Sequence, residues 1–214
     1  TYNVKENSLK NVSESYTSGP YTAPYRRFTS DRIIRLGDPV IIDIGACYNG
    51  YYGDFTRTWI CGDVKPTAEQ IDLHQQCYDA LHRAAEACRP GNTNAQVVEA
   101  ANEKYVLSSL GHGSGLNPWE PPHFSITSKR DPMVLEENMV ANLEPYCGKP
   151  GIGGFRLEHN LVIRKNGPEI YTTYPFDERL LKNVHPLDKT TGRMIYEVGD
   201  SLFPAPAFIS QAYS

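Results

Sequence analysis

Four acidic residues sit in sequence that usually excludes them. Asp43 lies in PVIIDIG and Asp54 in YYGDFTRTWI, while Glu144 closes the apolar run MVANL and Glu158 stands in FRLEHNLVI. Strand interiors are depleted in Asp and Glu, and buried acids are rare unless paired or bound to a metal. Any one of the four could face solvent from a half-exposed strand, but that explanation weakens when all four need it. His112, in LGHGSGL, supplies an imidazole between glycines, where a side chain can reach an open cleft. Two Asp, two Glu and one His suit two divalent ions with bridging carboxylates. Such an oxygen-rich set favours manganese, iron, cobalt or zinc without choosing among them. Of the other histidines, His74 and His82 read as helix-surface residues and His185 as a loop residue. His159 follows Glu158 and so points to the opposite face of a strand, while His123 is a candidate for the active site.

The elements that must position these groups can be read from punctuation and periodicity. Residues 1–30 contain TSGPYTAP and read as a loop. PVIIDIG (39–45) and YYGDFTRTWI (51–60) are strand-like, and Asn49-Gly50 between them is a strong hairpin signal. Closing that hairpin pairs Tyr48 with Tyr51 and hence Asp43 with Thr56, two residues from Asp54. With side chains alternating, the two aspartates become diagonal neighbours on one face, about 7–8 Å apart at Cα. Helices are predicted from the capping pairs Thr67/Gln70 and Thr93/Gln96. The first runs to Arg89-Pro90-Gly91, and the second places Val97, Val98, Ala101 and Tyr105 on one face. Gly and Pro make 110–122 look irregular. Strands return at 138–145 and 155–164, with Glu144 and Glu158 on one face in any even-sum register. SLFPAPAFI, broken by two prolines, reads as an edge strand or surface arm. Strand pair, helix pair, loop and strand pair make an α+β domain: an antiparallel sheet with helices packed on one side.

With 214 residues the chain fits one large domain or two small ones. Its 21 basic and 25 acidic residues give a net charge of −4, which argues against a nucleic-acid partner. No stretch approaches the roughly 20 apolar residues needed to span a bilayer, so no membrane partner is expected. Five cysteines without a CxxC pair read as reduced thiols of a cytoplasmic protein.

Together, TSGPYT, GDPVIIDIGACYNGYYGDFTRTW, PGNTNAQV, GHGSGL, EENMVANLEP and GFRLEHNLVI resemble the pita-bread metallohydrolases: methionine and Xaa-Pro aminopeptidases, prolidases and creatinase. The strings cover roughly residues 17–181 in the family's order, and GIGGFRLEH followed by NGPEIYTTYP looks most like the creatinase and Xaa-Pro aminopeptidase branch. The resemblance implies a pita-bread fold, a curved antiparallel sheet with helices on its outer face, over residues 1–182, with 183–214 as an extension or arm. It also implies that Asp43, Asp54, His112, Glu144 and Glu158 bind two metal ions, and it leads to the expectation of a homodimer. Against the family pattern, a fragment or trimmed form is expected, without the helical segment that usually precedes the SGP string or the N-terminal domain of the creatinase branch.

The expected activity is a dinuclear-metal hydrolase acting on a small peptide or other small molecule, with metal-activated water attacking an amide carbonyl. Glu144 would carry the proton, Arg156 would orient Glu158 from two residues away, and His123, Trp119 and Tyr25 would line the pocket. Two departures from the family pattern bear on this. Ala23-Pro24-Tyr25 stands where the peptidases have a histidine, and Trp119 stands where they have a second. Losing one oxyanion-type donor typically costs on the order of 10²–10³ in rate. The alternative reading is a non-peptidase metalloenzyme on the same fold, either a lyase such as one cleaving dimethylsulfoniopropionate or a C–N hydrolase of a small carboxylated substrate. A metal-free binding module fits less well, because all five ligands are kept.

Overall fold

The computed structural model describes residues 10–24, 31–106, 109–182, 195–198 and 201–204. The chain opens with β1 (Lys10–Ser18), β2 (Pro39–Tyr48) and β3 (Tyr51–Ile60), then α1 (Ala68–Ala87) and α2 (Asn94–Ala101). Seven strands follow up to residue 170, and among the described residues no helix of eight residues or more interrupts β4 (Gly111–Gly113), β5 (Glu120–Phe124), β6 (Val140–Leu143), β7 (Tyr146–Lys149), β8 (Gly153–Arg156), β9 (His159–Arg164) and β10 (Gly167–Ile170). A separate two-stranded sheet pairs β11 (Ile195–Val198) with β12 (Ser201–Pro204), so SLFP within the proline-broken patch is indeed a strand.

Strands β1, β2 and β3 form one antiparallel sheet in that order. The hairpin closes as its turn residues dictate: Asn49 (φ 50) and Gly50 (φ 84) take the two left-handed positions of a type I′ turn. Tyr48 then faces Tyr51 and Asp43 faces Thr56. Strand β1 stands within the stretch expected to be a loop, of which residues 10–24 are described. Its KNVSESYTS sequence lacks apolar alternation, and main-chain pairing with β2, such as Ser15 opposite Asp43, defines it instead.

A second antiparallel sheet runs in the order β10-β9-β6-β4-β5, and β7 pairs with β8. Here the sequence reading needs two corrections. The segment 110–122 is not irregular throughout, because β4 and the start of β5 lie in it. Its glycines allow this: a Cβ built on Gly111 would collide with the Asn142 carbonyl, and one on Gly113 with that of Pro121. The run 155–164 is not one strand. Its first part pairs with β7 and its second with β6, so the chain changes partners at Leu157-Glu158, and Glu158 sits in the break.

Both helices begin at the expected capping boxes, with Thr67 and Gln70 exchanging bonds of 3.2 and 2.9 Å. Helix α2 stops at Ala101 rather than reaching Tyr105, because Asn102 takes φ 73, a left-handed stop, and a 3₁₀ turn follows over Glu103–Tyr105. The apolar stripes, Cys77, Leu81, Ala84 and Ala85 on α1 and Val97, Val98 and Ala101 on α2, share one core with Phe124, Ala141, Leu143, Phe155, Leu161 and Ile163 of the strands. His74 is a further correction. It belongs to the buried stripe with Gln70, Cys77, Tyr78 and Leu81 and packs edge-on against Phe155 and Phe176. Burial pushes its pKa down to about 3. His82 is half-buried and stacks on Tyr78 rather than lying free at the surface. His159 does point away from Glu158, into the aromatic layer with His82 and Phe176.

Candidate metal centre

The two sheets bring their acids together at one seam. Asp43 and Asp54 enter from the β2–β3 hairpin. Glu144 follows the last residue of β6, and Glu158 comes from the β8–β9 break. One carboxylate oxygen each from Asp43, Asp54 and Glu158 lie within 4.8 Å of one another. His112 projects from β4, directly opposite Asn142 of β6, which is opposite Asn160 of β9. Its Nε2 is 3.6 Å from Asp54 Oδ2 and 3.8 Å from Glu144 Oε1. Its Nδ1 lies 2.9 Å from the Gly113 carbonyl, a contact that assigns the proton to Nδ1 and turns the Nε2 lone pair toward the acids.

The electrostatics of this cluster are those of a cation site. Glu158 is fully buried, and neither carboxylate oxygen has a hydrogen-bond partner; His112 Nε2 is buried and unpartnered as well. Burial, then Asp54, Glu144 and Asp43, push the Glu158 pKa well above the usual carboxylate range. Burial also raises Glu144, to about 7, against the pull of Arg156. Asp43 is raised chiefly by burial, and Asp54 adds to it. His112 is held above its ordinary value: burial pushes it down, but Asp54, Glu144 and the Gly113 carbonyl outweigh that. Among the described residues, one guanidinium faces these four carboxylates. Arg156 pairs with Asp43 and with Glu144 Oε2, whereas the sequence reading aimed it at Glu158. The reason is the strand break, which separates the directions of residues 156 and 158. Three oxygen donors in mutual reach, two orphaned Glu158 oxygens and a turned imidazole fit divalent cations of the hard-to-borderline kind.

The remaining expected residues lie around this cluster or beyond the described residues. Trp119 is 59% exposed with its ring centroid 6.2 Å from that of His112, edge-on. His123 is exposed on β5 beside buried Phe124, which pairs with Gly111 next to His112. Tyr25 lies outside the described residues, as does His185. Sequence reasoning missed Asn142, Asn160 and Tyr171. Asn142 stands two residues before Glu144 and Asn160 two after Glu158, so period-2 spacing from the acids was a usable signal. Asn160 donates through Nδ2 to the Asp54 carbonyl, and the Tyr171 N–H donates to the Asn160 carbonyl at 3.0 Å. Nothing in the local sequence marks Tyr171, because the pairing that brings it there is long-range.

The fold is that of the pita-bread class, an antiparallel sheet framework backed by helices, and this seam is its candidate metal centre. The chain belongs to metallopeptidase family M24, whose model matches residues 4–165. Among its relatives, the Xaa-Pro dipeptidase of Pyrococcus furiosus is 37% identical over 163 residues, 72% of this chain and 45% of the relative. The crystal structure of dipeptidase PepE from Mycobacterium ulcerans superposes with a TM-score of 0.70 at 32% identity, covering 78% of this chain and 46% of that one. The prolidase from Pyrococcus furiosus gives a TM-score of 0.68 at 36% identity, covering 76% and 49%. The chain thus spans about half the length of the relatives it matches. Among the described residues, no helix is long and apolar enough to cross a membrane.

Proposed function

We propose that this chain carries the catalytic centre of a metal-dependent peptidase of the aminopeptidase or Xaa-Pro dipeptidase type. The observation that carries the reading is Glu158: a wholly buried carboxylate whose two oxygens have no hydrogen-bond partner, facing two aspartates within 4.8 Å. Asp43, Asp54, His112, Glu144 and Glu158 would hold two divalent ions, with manganese, iron, cobalt and zinc all compatible. When bound, such ions lower the pKa of water and polarise a carbonyl. The chain's own residues divide the other tasks. Glu144 Oε2 is tied to Arg156, which leaves Oε1 as the oxygen that takes up and returns a proton. A carboxyl group titrating near pH 7 is well matched to that exchange. Arg156 keeps Asp43 and Glu144 at fixed spacing. Trp119 and His123 line the approach to His112, and Tyr25 remains an expected contributor. A peptide is the substrate in this reading, homodimeric assembly belongs to it, and the free cysteines suit a cytoplasmic setting.

Trp119 also favours a second reading, the non-peptidase lyase or C–N hydrolase. Its indole can stack and donate one N–H but cannot exchange protons as an imidazole does. Elemental analysis and a panel of Xaa-Pro dipeptides beside small carboxylated amides separate the two. Two bound ions per chain and dipeptide turnover abolished by Asp54→Ala are expected; a protein that binds no divalent metal, or turnover surviving that substitution, refutes the proposal.

A further inference from the structure

Glu158 lies where the main chain has just left one strand partner and not yet joined the next, so no ladder holds it. The neighbouring edge strand β3 supplies side chains there instead. Thr58 is fully buried. Its Oγ1 accepts from the Arg156 N–H at 2.9 Å and donates to the Arg156 carbonyl at 2.8 Å. Arg57 is fully buried too, and through Nη1 it donates to the carbonyl of Glu158 itself and to that of Thr56 at 3.1 Å. Its Nη2 donates to the Tyr174 carbonyl at 3.1 Å. The guanidinium carbon sits 4.1 Å from the Phe176 ring centroid and 4.8 Å from that of Phe55. Alternation along β3 puts Asp54, Thr56 and Thr58 on one face and Arg57 on the other. One strand therefore provides a site carboxylate from its front and, from its back, a clamp on the main chain that carries a second.

We infer that Arg57 is a positioning residue for the metal centre: with Thr58 it fixes the main chain at 156–158 so that the Glu158 carboxylate and the Arg156 guanidinium both face the ions. The inference rests on the metal-centre reading above. A planar guanidinium meets the need because it reaches three carbonyls while its carbon lies over two rings; a lysine ammonium is a point donor that cannot do both. Outer residues that orient metal ligands typically matter by about 10–100-fold in metal affinity.

The test measures manganese(II) binding to the full chain by titration calorimetry, with the metal-induced gain in Tm recorded beside it. Wild type, Arg57→Lys and Thr58→Val are compared. Weakening of about 10–100-fold is expected in both variants, with the manganese-induced gain in Tm reduced. A purely structural role would lower Tm equally with and without manganese and leave the Kd unchanged. If Arg57→Lys does not fold, Thr58→Val, which keeps shape and loses only the hydroxyl, carries the test. A folded variant binding manganese within about twofold of wild type overturns the inference. A wild-type chain that binds no manganese overturns the metal-centre reading with it.

Discussion

Replacing Glu158 by Gln should change stability in opposite senses with and without metal. The metal-free protein keeps a carboxyl group with no hydrogen-bond partner beside two aspartates within 4.8 Å. Two unit charges at that distance repel by about 3.5 kcal/mol at an effective dielectric of about 20. The raised pKa of Glu158 means that proton uptake relieves part of this. The amide, which also donates hydrogen bonds to the neighbouring acids, should therefore raise metal-free stability only by about 1 kcal/mol. With manganese present the sign reverses. Weakening the affinity about 100-fold at saturating metal removes about 2.7 kcal/mol of linkage stabilisation. For a domain of this size that is roughly 5–11 °C of Tm. Scanning calorimetry of both proteins, in chelator and in excess manganese, reads all four values. An undiminished metal-induced gain in Glu158→Gln would refute the ligand role. A metal-free Glu158→Gln that melts several degrees below wild type would refute the argument that the buried carboxylate is a liability without its cation.

Other perturbations test the scaffold and the rim. Asp177 is buried, accepts from the Ile60 N–H at 3.0 Å and pairs with Arg179 at 2.7 Å. Burial pushes its pKa up, but these partners outweigh it and hold the carboxyl below the usual range. A depressed folded-state value contributes stability that is present above about pH 4 and lost as pH falls through the folded pKa. Asp177→Asn should therefore destabilise at pH 7, with the gap from wild type closing in strong acid; a pH-independent gap in urea melts would contradict this. Gly111→Ala drives a methyl group into the Asn142 carbonyl, so roughly 1–3 kcal/mol of stability should be lost in urea melts and manganese binding weakened as β4 and His112 shift. Trp119→Ala removes an exposed ring beside His112; KM should rise several-fold, about 0.5–1.5 kcal/mol of contact, with Tm unchanged. A drop in Tm of several degrees would mean that the indole is structural.

Local chemistry is what the sequence makes legible. Asn49-Gly50 specifies a turn type, the turn specifies the register, and the register puts Asp43 opposite Thr56, as the structure has it. Both capping boxes act within three residues and are equally plain. What sequence conceals is pairing between distant segments. FRLEHNLVIR reads as continuous because each of its residues suits a strand, yet its two halves belong to different partners. Sequence spacing points Arg156 at Glu158, while the structure pairs it with Asp43 and Glu144. His74 looked like a surface histidine by residue type, although its spacing from Cys77, Tyr78 and Leu81 puts it on the buried stripe. Strand β1 escaped notice because ladder hydrogen bonds leave no trace in side-chain pattern.

The candidate ligands are divided between two sheets that share no ladder: Asp43 and Asp54 belong to the three-stranded unit, while His112 and Glu144 come from β4 and the end of β6 in the five-stranded one. Bound ions would thus act as a rivet between two plates. Amide hydrogen exchange should slow on metal addition in both plates together, and stripping the metal should loosen them as a pair, leaving each internally paired but free to breathe against the other.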